Sequence, residues 1–409
     1  MAVMAVSVPW VSGSDKPGHS GTLDNMQIPE LTPTPGTQFG IYVHVPFCTV
    51  RCGYCDFNTY TAAELGGATP DGWLNALRAE LELAAARLPE TAVDTVFVGG
   101  GTPSAIGAER LTAVLDAIAG HFSLNSEAEV TTEANPESTS AEFFAELRAA
   151  GYTRVSLGMQ SIAPHVLATL GRAHSPGRAI VAAGEAAAAG FDHINIDLIY
   201  GTPGESDEDL LASVDAAITA GVDHLSAYAL VVEDGTALAR QVRRGEVPAP
   251  DDDVLARRYE LLDNRLSAAG LDWYEVSNWS RPGGQCRHNL GYWNGGQWWG
   301  AGPGAHGFVG DLRWWNVKHP STYADSVANG GWPAADFERL GPRDRHIEEV
   351  MLGIRLREGL AVSVLTDAER LRADRAAGDG LLTLTGERLT LTRRGRLLAD
   401  AVVREVLDD

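Results

Sequence analysis

The sequence is poor in cysteine, with four among 409 residues, and it has no long hydrophobic run. So few cysteines exclude the disulfide framework that stabilises many small secreted domains. No apolar stretch approaches the roughly 18–20 residues that a helix needs to span a bilayer. The apolar stretch 1–11 has no basic residue before it, the first being Lys16, which argues against a secretory signal or a transit peptide. We therefore expect a cytoplasmic protein with reduced thiols.

Basic residues are also scarce, because Lys and Arg total 32 against 54 Asp and Glu, for a formal net charge of −22. Binding to a phosphate backbone needs a basic surface, so a nucleic acid substrate is disfavoured, and with it the class of RNA-modifying enzymes. The acidic surplus is typical of a well-solvated surface. Hydrophobic residues make up 44% of the chain, enough for an ordinary globular core.

Short hydrophobic runs alternate with helical patterns through the first half of the chain. Strands are predicted at 39–45, 95–98, 128–133, 154–158, 193–200 and 224–232, and helices at 73–88, 107–119, 141–150, 177–189 and 207–220. This alternation is typical of βαβ units with a parallel sheet. Six units are too few for a closed eight-stranded barrel, so the sequence predicts an α/β fold with a partial (β/α)6 barrel. Its active site should lie at the carboxyl ends of the strands.

Changes in composition and periodicity divide the chain into four predicted regions. Residues 1–37 are rich in Pro, Gly, Ser and Thr and are expected to form a disordered arm. The barrel occupies 38–233, and an α+β extension with a Gly- and Trp-rich segment follows at 234–340. Residues 341–409 are predicted to form a small helical domain with a hairpin and a closing helix at 394–407. Its shape resembles a winged helix, but the acidic balance favours a packing role over DNA binding.

Three cysteines lie together on one predicted loop, directly after the first strand. Cys48, Cys52 and Cys55 have the spacing C-x3-C-x2-C. A [4Fe–4S] cluster usually takes four thiolates, so three ligands leave one iron open, and the best candidate for that position is S-adenosylmethionine (SAM). A structural zinc site would need a fourth nearby ligand, and the remaining cysteine, Cys286, is far along the chain.

Polar and glycine residues follow several of the other predicted strands. The run 99–104, Gly-Gly-Gly-Thr-Pro-Ser, lets the backbone approach a ligand and can bind anions through free N–H groups. Glu133, Gln160 and Asp197 end their strands, and Arg172 could pair with a carboxylate. A tight turn or structural hydrogen bonds would be the alternative for each. Their shared position at one rim favours a common ligand site.

These motifs resemble those of the radical SAM proteins in the oxygen-independent coproporphyrinogen III oxidase group. The resemblance runs from Phe39 to the carboxyl terminus and rests on five motifs: the cysteine loop, Gly99-Gly-Gly-Thr-Pro-Ser104, Thr132-Glu-Ala-Asn-Pro136, Leu157-Gly-Met-Gln-Ser161 and Ile196-Asp-Leu-Ile-Tyr-Gly201. It implies a partial radical SAM barrel, a [4Fe–4S] cluster and SAM.

Site residues follow from this resemblance. It implies that Cys48, Cys52 and Cys55 ligate the cluster. The SAM bound to the cluster would then contact Tyr42, Gly100 and Glu133. The oxidase binds a second SAM, for which the matching positions here are Tyr54, Gly101, Thr102, Gln160, Arg172, Asp197 and Val231. The number of SAM molecules bound by this chain stays open.

Two features place the chain nearer the haem chaperones of this group than its oxidases. The oxidases carry a further cysteine two residues after the third ligand, where this chain has Phe57. In addition, residues 286–293 match the chaperones' H-N-x-x-Y-W haem-binding motif. His288 is then the expected axial ligand, because neutral imidazole binds haem iron, and Cys286 ranks below it. The alternative for this segment is an aromatic core strip between two domains.

The resemblance therefore predicts a haem chaperone that binds haem and a SAM-ligated cluster and delivers haem to haem proteins of the respiratory chain. The main alternative is an enzyme that decarboxylates the propionate side chains of coproporphyrinogen III. Whether the protein cleaves SAM, forms a homodimer or docks on a membrane surface is left open by the sequence.

Overall fold

Six parallel strands separated by helices form the centre of the computed structural model, which describes residues 29–172 and 175–407. The strands are β1 (Phe39–Val45), β2 (Ala92–Gly100), β3 (Ser123–Ala134), β4 (Arg154–Gln160), β5 (His193–Tyr200) and β6 (His224–Ala229). The helices are α1 (Pro70–Arg87), α2 (Ala108–His121), α3 (Ala141–Ala150), α4 (Pro164–Thr169), α5 (Arg178–Ala188) and α6 (Asp207–Thr219). The strands pair in chain order, which confirms the predicted partial barrel.

Helix α1 shows how the sequence builds one of these units. Thr69 caps the helix by accepting a hydrogen bond from the Gly72 backbone N–H at 3.1 Å, and Pro70 occupies the first turn, where its missing N–H costs nothing. Trp73, Leu77 and Leu81 recur every four residues and are buried. This stripe belongs to the main hydrophobic core, to which the outward-facing side chains of β1 also contribute.

The sheet continues beyond the barrel at both edges. The added elements are α7 (Ala237–Arg243), α8 (Asp252–Ala268), β7 (Asp272–Glu275), β8 (Asn278–Ser280), α9 (Arg287–Trp293), β9 (Gln297–Ala301), β10 (His306–Val309), β11 (Leu312–Asn316), α10 (Pro320–Ala328) and β12 (Ala334–Arg339). The twelve strands have the order β12-β11-β10-β9-β1-β2-β3-β4-β5-β6-β8-β7. Strand β9 pairs with β1 in parallel, and β10 to β12 follow it as an antiparallel meander.

The carboxyl-terminal region forms a separate small unit with its own hydrophobic core. Its elements are α11 (Pro342–Gly353), β13 (Leu360–Ala361), α12 (Asp367–Gly378), β14 (Leu382–Thr385), β15 (Arg388–Leu391), α13 (Arg393–Leu397) and α14 (Ala399–Leu407). The closing helix predicted at 394–407 is interrupted at Leu398, where the backbone leaves the helical conformation. No helix in the described ranges is both long and apolar enough to span a bilayer.

The predicted disordered arm, 1–37, lies outside the described residues except for 29–37. That last part packs against the sheet, and Leu31 is buried in the main core. The Gln297 side chain accepts a hydrogen bond from the Thr34 backbone N–H at 2.9 Å and donates one to the Thr34 carbonyl at 3.0 Å. The prediction of disorder is therefore wrong for 29–37, because an amide on β9 pairs with its backbone.

Candidate radical SAM site

The three cysteines lie on the loop that follows β1 and face a cavity of about 350 Å³. The loop is held at its start by a hydrogen bond from the Cys48 N–H to the Tyr60 carbonyl at 3.0 Å, and at its end by one from the Cys55 N–H to the Cys52 carbonyl at 3.2 Å. All three are free thiols of intermediate exposure. Burial raises the pKa of Cys55 to about 11, so this thiol keeps its proton at neutral pH until a metal displaces it.

The glycine run after β2 lies directly against the cysteine loop. The Gly101 N–H donates to the Val45 carbonyl at 2.7 Å, and the Thr102 N–H donates to the Phe47 carbonyl at 2.8 Å. A Cβ on Gly101 would lie 2.6 Å from that Phe47 oxygen and 3.1 Å from the Cys48 sulfur. The absence of a side chain therefore lets two backbone segments meet at the cavity wall.

Glu133 ends β3 beside this glycine run. Its carboxylate accepts a hydrogen bond from the Gly100 N–H at 3.0 Å. Gly100 has a φ of 112°, a conformation that suits glycine, and a Cβ there would lie 2.6 Å from the His44 ring. The carboxylate is buried at the cavity wall, where it could also accept hydrogen bonds from the hydroxyls of a bound ligand.

Gln160 ends β4 in an unusual conformation. Its φ is 62°, in the left-handed region that is costly for a residue with a side chain, and it follows a register shift between β4 and β5. Its amide oxygen is buried at the cavity wall without a hydrogen-bond partner among the described residues. Strain together with an unpartnered buried oxygen is typical of a ligand-binding position.

A charged pair of residues closes the far side of the cavity. Arg172 donates to the Cys52 sulfur at 3.5 Å and to the Gly158 carbonyl at 3.0 Å. Asp197, which points inward from β5, accepts hydrogen bonds from Ser156 at 2.9 Å and Asn195 at 2.8 Å. The guanidinium places positive charge beside the thiols, where it would offset the negative charge of thiolate ligands.

These features together fit the cofactors that the sequence implies. The three thiols, the backbone of the glycine run and the unpartnered Gln160 oxygen surround one cavity. Tyr54 lies on the wall of this cavity as well. Within the described residues, no three His, Cys, Asp or Glu side chains converge on one metal ion. In a cubane each thiolate binds a different iron, so its ligands need no such convergence.

Two residues predicted to contact SAM lie elsewhere. The Tyr42 side chain points below the large cavity, where it lines a second cavity of about 40 Å³ and hydrogen-bonds to His44 at 3.0 Å. Val231 follows β6, is 49% exposed and does not line the large cavity. Neither side chain is placed to touch a ligand in the large cavity.

The predicted haem ligand, His288, lies inside the barrel near the amino ends of the strands. It is only 4% exposed and stacks on Phe97 at 5.3 Å. Its Nδ1 bonds to the Thr95 hydroxyl at 2.8 Å and its Nε2 to the Tyr292 hydroxyl at 2.9 Å. Burial lowers the pKa of His288 to about 4, so the ring is neutral. Both ring nitrogens of His288 are engaged. Coordination of iron by His288 would therefore require its hydrogen bond to Thr95 or to Tyr292 to break and the buried ring to become accessible.

Cys286, the weaker candidate for a haem ligand, lies in the same buried segment. Its sulfur is 3.5 Å from a carboxylate oxygen of Glu129, which also accepts the His288 backbone N–H at 3.0 Å and pairs with Arg154 at 3.0 Å. Burial raises the pKa of Cys286 to about 12, which keeps the thiol protonated. These contacts tie the segment to β3 and β4.

Sequence reasoning missed Ser156, which lines both cavities and donates to Asp197. It lies two residues after Arg154 and two before Gly158, on the inward-facing positions of β4. Polar or small residues at every second position of a strand within a hydrophobic sheet were the available signal.

Known protein families match this chain in both its barrel and its carboxyl-terminal unit. The sequence profile of the Radical SAM superfamily matches residues 42–217, and that of the HemN C-terminal domain matches residues 340–398. The chain is 69% identical over 382 residues to a Mycobacterium tuberculosis protein named Heme chaperone HemW, covering 93% of this chain and 98% of that relative. The chain belongs to the HemW family of radical SAM proteins.

The family extends to relatives of much lower identity. The Escherichia coli protein named Heme chaperone HemW is 34% identical over 376 residues, covering 89% of this chain and 96% of the relative. Among solved structures, coproporphyrinogen III oxidase (HemN) from Escherichia coli, a radical SAM enzyme, superposes with a TM-score of 0.79 over 91% of both chains at 22% identity. That likeness shows a shared fold.

Proposed function

We propose that this protein is a haem chaperone: it binds haem and a SAM-ligated [4Fe–4S] cluster, and it delivers haem to haem proteins of the respiratory chain. The observation that carries the proposal is the 69% identity, over nearly the whole of both chains, to a relative named for haem chaperone activity. The recipients, delivery at a membrane surface, a cytoplasmic location and a homodimeric state belong to the same proposal.

The residues around the large cavity would hold the cofactors. Cys48, Cys52 and Cys55 would ligate the cluster, and Arg172 would offset its negative charge. When bound and reduced by an external donor, the cluster would be able to supply an electron to SAM. The glycine run 99–104 brings backbone close to the ligand.

The remaining polar groups of that cavity would orient SAM. Glu133 and Gln160 present oxygen acceptors to ligand hydroxyl and amino groups, and Asp197 faces the same space. Gly100, Gly101, Thr102 and Tyr54 complete the wall. Apart from Tyr42 and Val231, the residues assigned to the first and to the second SAM by resemblance line one cavity, which supports a single continuous SAM-binding region.

The alternative function, oxidative decarboxylation of coproporphyrinogen III, is tested by one anaerobic reaction. Cluster-reconstituted protein is incubated with SAM, a strong reductant and coproporphyrinogen III, and protoporphyrinogen IX and 5′-deoxyadenosine are quantified together. We expect no porphyrinogen conversion. Conversion in proportion to SAM cleavage would make the protein a biosynthetic enzyme and contradict the proposal.

A further inference from the structure

The inner face of β5 carries polar side chains that continue from the large cavity down into the barrel. Asn195 and Asp197 are two positions apart on this strand, so both point inward, and both are buried. Asp197 lines the large cavity, and Asn195 lines the small cavity of about 40 Å³. The strand register places Ser156 of β4 and His224 of β6 on either side of Asn195. Asn195 is therefore the centre of a polar layer beneath Asp197.

Four buried side chains form a continuous series of hydrogen bonds, which we call the polar chain: Tyr274, His224, Asn195 and Asp197. The Tyr274 hydroxyl lies 2.8 Å from His224 Nε2, and His224 Nδ1 lies 2.7 Å from Asn195 Oδ1. Asn195 Nδ2 then lies 2.8 Å from Asp197 Oδ1. The polar chain thus begins on β7 of the extension and ends at the wall of the large cavity.

The direction of each hydrogen bond in the polar chain follows from the carboxylate at its end. An ionised carboxylate only accepts hydrogen bonds, so Asn195 turns its amide nitrogen toward Asp197 and its carbonyl oxygen toward His224. Burial lowers the pKa of His224 well below its ordinary value, so the ring is neutral and has one N–H. That proton lies on Nδ1, and Nε2 accepts from the Tyr274 hydroxyl.

Ser156 engages the second oxygen of the same carboxylate. Its hydroxyl donates to Asp197 Oδ2 at 2.9 Å and accepts from Asn195 Nδ2 at 2.7 Å. The amide of Asn195 therefore contacts the carboxylate directly and also through Ser156. With both oxygens bound from below, the rotation of the Asp197 carboxylate is restricted before any ligand enters the large cavity.

We infer that Asn195, His224 and Tyr274 are positioning residues for SAM, because they hold the Asp197 carboxylate in one orientation at the wall of the large cavity. This inference rests on the proposed function, in which Asp197 faces SAM. SAM carries positive charge, and a carboxylate of fixed orientation loses less conformational entropy when it pairs with a ligand. None of the three positioning residues lines the large cavity, and Tyr274 makes the extension part of the SAM site.

The substitution Asn195→Asp tests the polar chain at its centre, with the affinity for SAM as the readout. It keeps the shape of the side chain and replaces the N–H group that faces Asp197 by a carboxyl oxygen. Two carboxyl groups this close share one proton, which lets the new group donate to Asp197 as the amide did. As pH rises, that proton is lost, and repulsion between the two carboxylates turns Asp197 away.

The variant Asn195→Asp should therefore bind SAM at least about tenfold more weakly than wild type at about pH 9, and the deficit should shrink as pH falls. The result is read as the ratio of the two dissociation constants at each pH, because the other titratable or charged groups in this part of the barrel are common to both proteins. These groups are Glu133, Arg154, Arg172, Tyr54, His224, Tyr228, Tyr274 and the cysteine thiols.

The substitution Tyr274→Phe tests the far end of the polar chain. It removes the hydroxyl that donates to His224 and should weaken SAM binding by about two- to tenfold. Tyr152→Phe is the matched control, because the Tyr152 hydroxyl is also buried and donates to the Leu111 carbonyl on α2 at 2.8 Å. This control should bind SAM as wild type does.

SAM binding is measured by anaerobic equilibrium dialysis against cluster-reconstituted protein, after thermal unfolding has shown that each variant is folded. A ratio for Asn195→Asp that does not change with pH would overturn the role of Asn195. Equal SAM affinity in Tyr274→Phe and Tyr152→Phe would overturn the contribution of the extension. Both results would leave the proposed function standing, whereas a wild-type protein that binds no SAM would contradict the proposed function itself.

Discussion

Single side chains at the carboxyl ends of the strands decide whether this protein can hold a cluster. Cys52 lies at the centre of the cysteine loop and contacts Arg172, and no other residue of the loop offers a sulfur beyond its two neighbours in the motif. Gly101 matters for a different reason, because the loop and the glycine run meet only where a side chain is absent. Cys52 thus contributes a ligand atom, whereas Gly101 contributes the space in which two backbone segments meet, and the two roles can be tested by separate substitutions.

Replacing one thiol should abolish the cluster. Cys52→Ser should lose the visible absorbance and the iron content of the reconstituted protein, because only two thiolates would remain. Cys286→Ala is the matched control, since this cysteine is buried away from the cavity, and it should retain both. Full iron content in Cys52→Ser would contradict the assignment of the loop.

Adding a methyl group at Gly101 should force the two backbone segments apart. We expect Gly101→Ala to lower the free energy of unfolding by about 1–3 kcal/mol and to reduce SAM binding. Gly120→Ala in α2 is the control, because a Cβ there meets nothing within 4 Å. It should be neutral or stabilising by up to about 1 kcal/mol. Equal stability of the two variants, measured by denaturant unfolding, would contradict the close approach.

At the scale of single residues, the sequence predicted those features of the site that depend on residues close together in the chain. The cysteine spacing and the glycine run depend on neighbouring residues, and the structure brings them to one cavity. The environment of His288 could not be predicted, because its partner Thr95 lies 193 positions away. A short motif does not reveal whether its histidine nitrogens are free.

At the scale of elements, a buried carboxylate joins α1 to the extension. Among the residues that the structure describes, all donors to the Glu80 carboxylate belong to the extension. They are Trp299 Nε1 at 3.3 Å, Gly302 N at 2.8 Å, Asn316 Nδ2 at 2.9 Å and Tyr323 OH at 2.5 Å. Burial raises the pKa of Glu80 to about 7, although these donors favour the charged form. The helix is therefore tied to β9 and β11 of the extension.

This raised pKa predicts a dependence of stability on pH. The folded protein holds the Glu80 proton up to about pH 7, whereas the unfolded chain releases it near the ordinary pKa of the carboxyl group. Between those values the folded state binds more protons, so the free energy of unfolding falls as pH rises, by about 1.4 kcal/mol per unit of pKa difference.

Glu80→Gln removes this titration and serves as the comparison. The stability advantage of wild type over the variant should be larger at about pH 5 than at about pH 8, as measured by urea unfolding. An advantage that is the same at both pH values, or that grows with pH, would mean that Glu80 is ionised in the folded protein throughout.

The strands of the extension show what pattern reasoning misses. The barrel strands β1 and β5 were predicted with their observed bounds, because apolar residues recur at every second position along both. Strands β9, β10 and β11 were not predicted, since glycines and tryptophans conceal their alternation. Gly300 and Gly307 lie within strands because a Cβ at either position would clash with a neighbouring strand.

At the scale of the whole molecule, the carboxyl-terminal unit has a separate core and is joined to the extension by a buried ion pair. Arg396 on α13 donates two hydrogen bonds to Asp263 on α8, at 3.0 and 2.8 Å, and lies over the Trp273 ring at 4.4 Å. Asp263 also accepts from Trp279 at 2.9 Å. The two cores are therefore distinct, and this buried polar contact is one of the links between them.

Removing the arginine should release the small unit. Arg396→Ala leaves a buried carboxylate without its main partner, so we expect a loss of about 3–5 kcal/mol and faster proteolytic cleavage between the barrel and α11. Arg394→Ala changes an exposed arginine of the same helix and should stay within about 0.5 kcal/mol of wild type. Identical cleavage patterns for the two variants would contradict the role of the ion pair.

A chaperone differs from a protein that only binds haem in passing it on, so transfer of haem to an acceptor should be measured. Haem-loaded protein is mixed with the haem-free form of a respiratory haem protein, and the two are separated and their haem content is followed with time. We expect haem to reach the acceptor faster than it does from the same concentration of free haem, and the respiratory activity of the acceptor to appear in step. Haem that stays on this protein, or an acceptor that fills no faster than with free haem, would contradict the assignment as a chaperone.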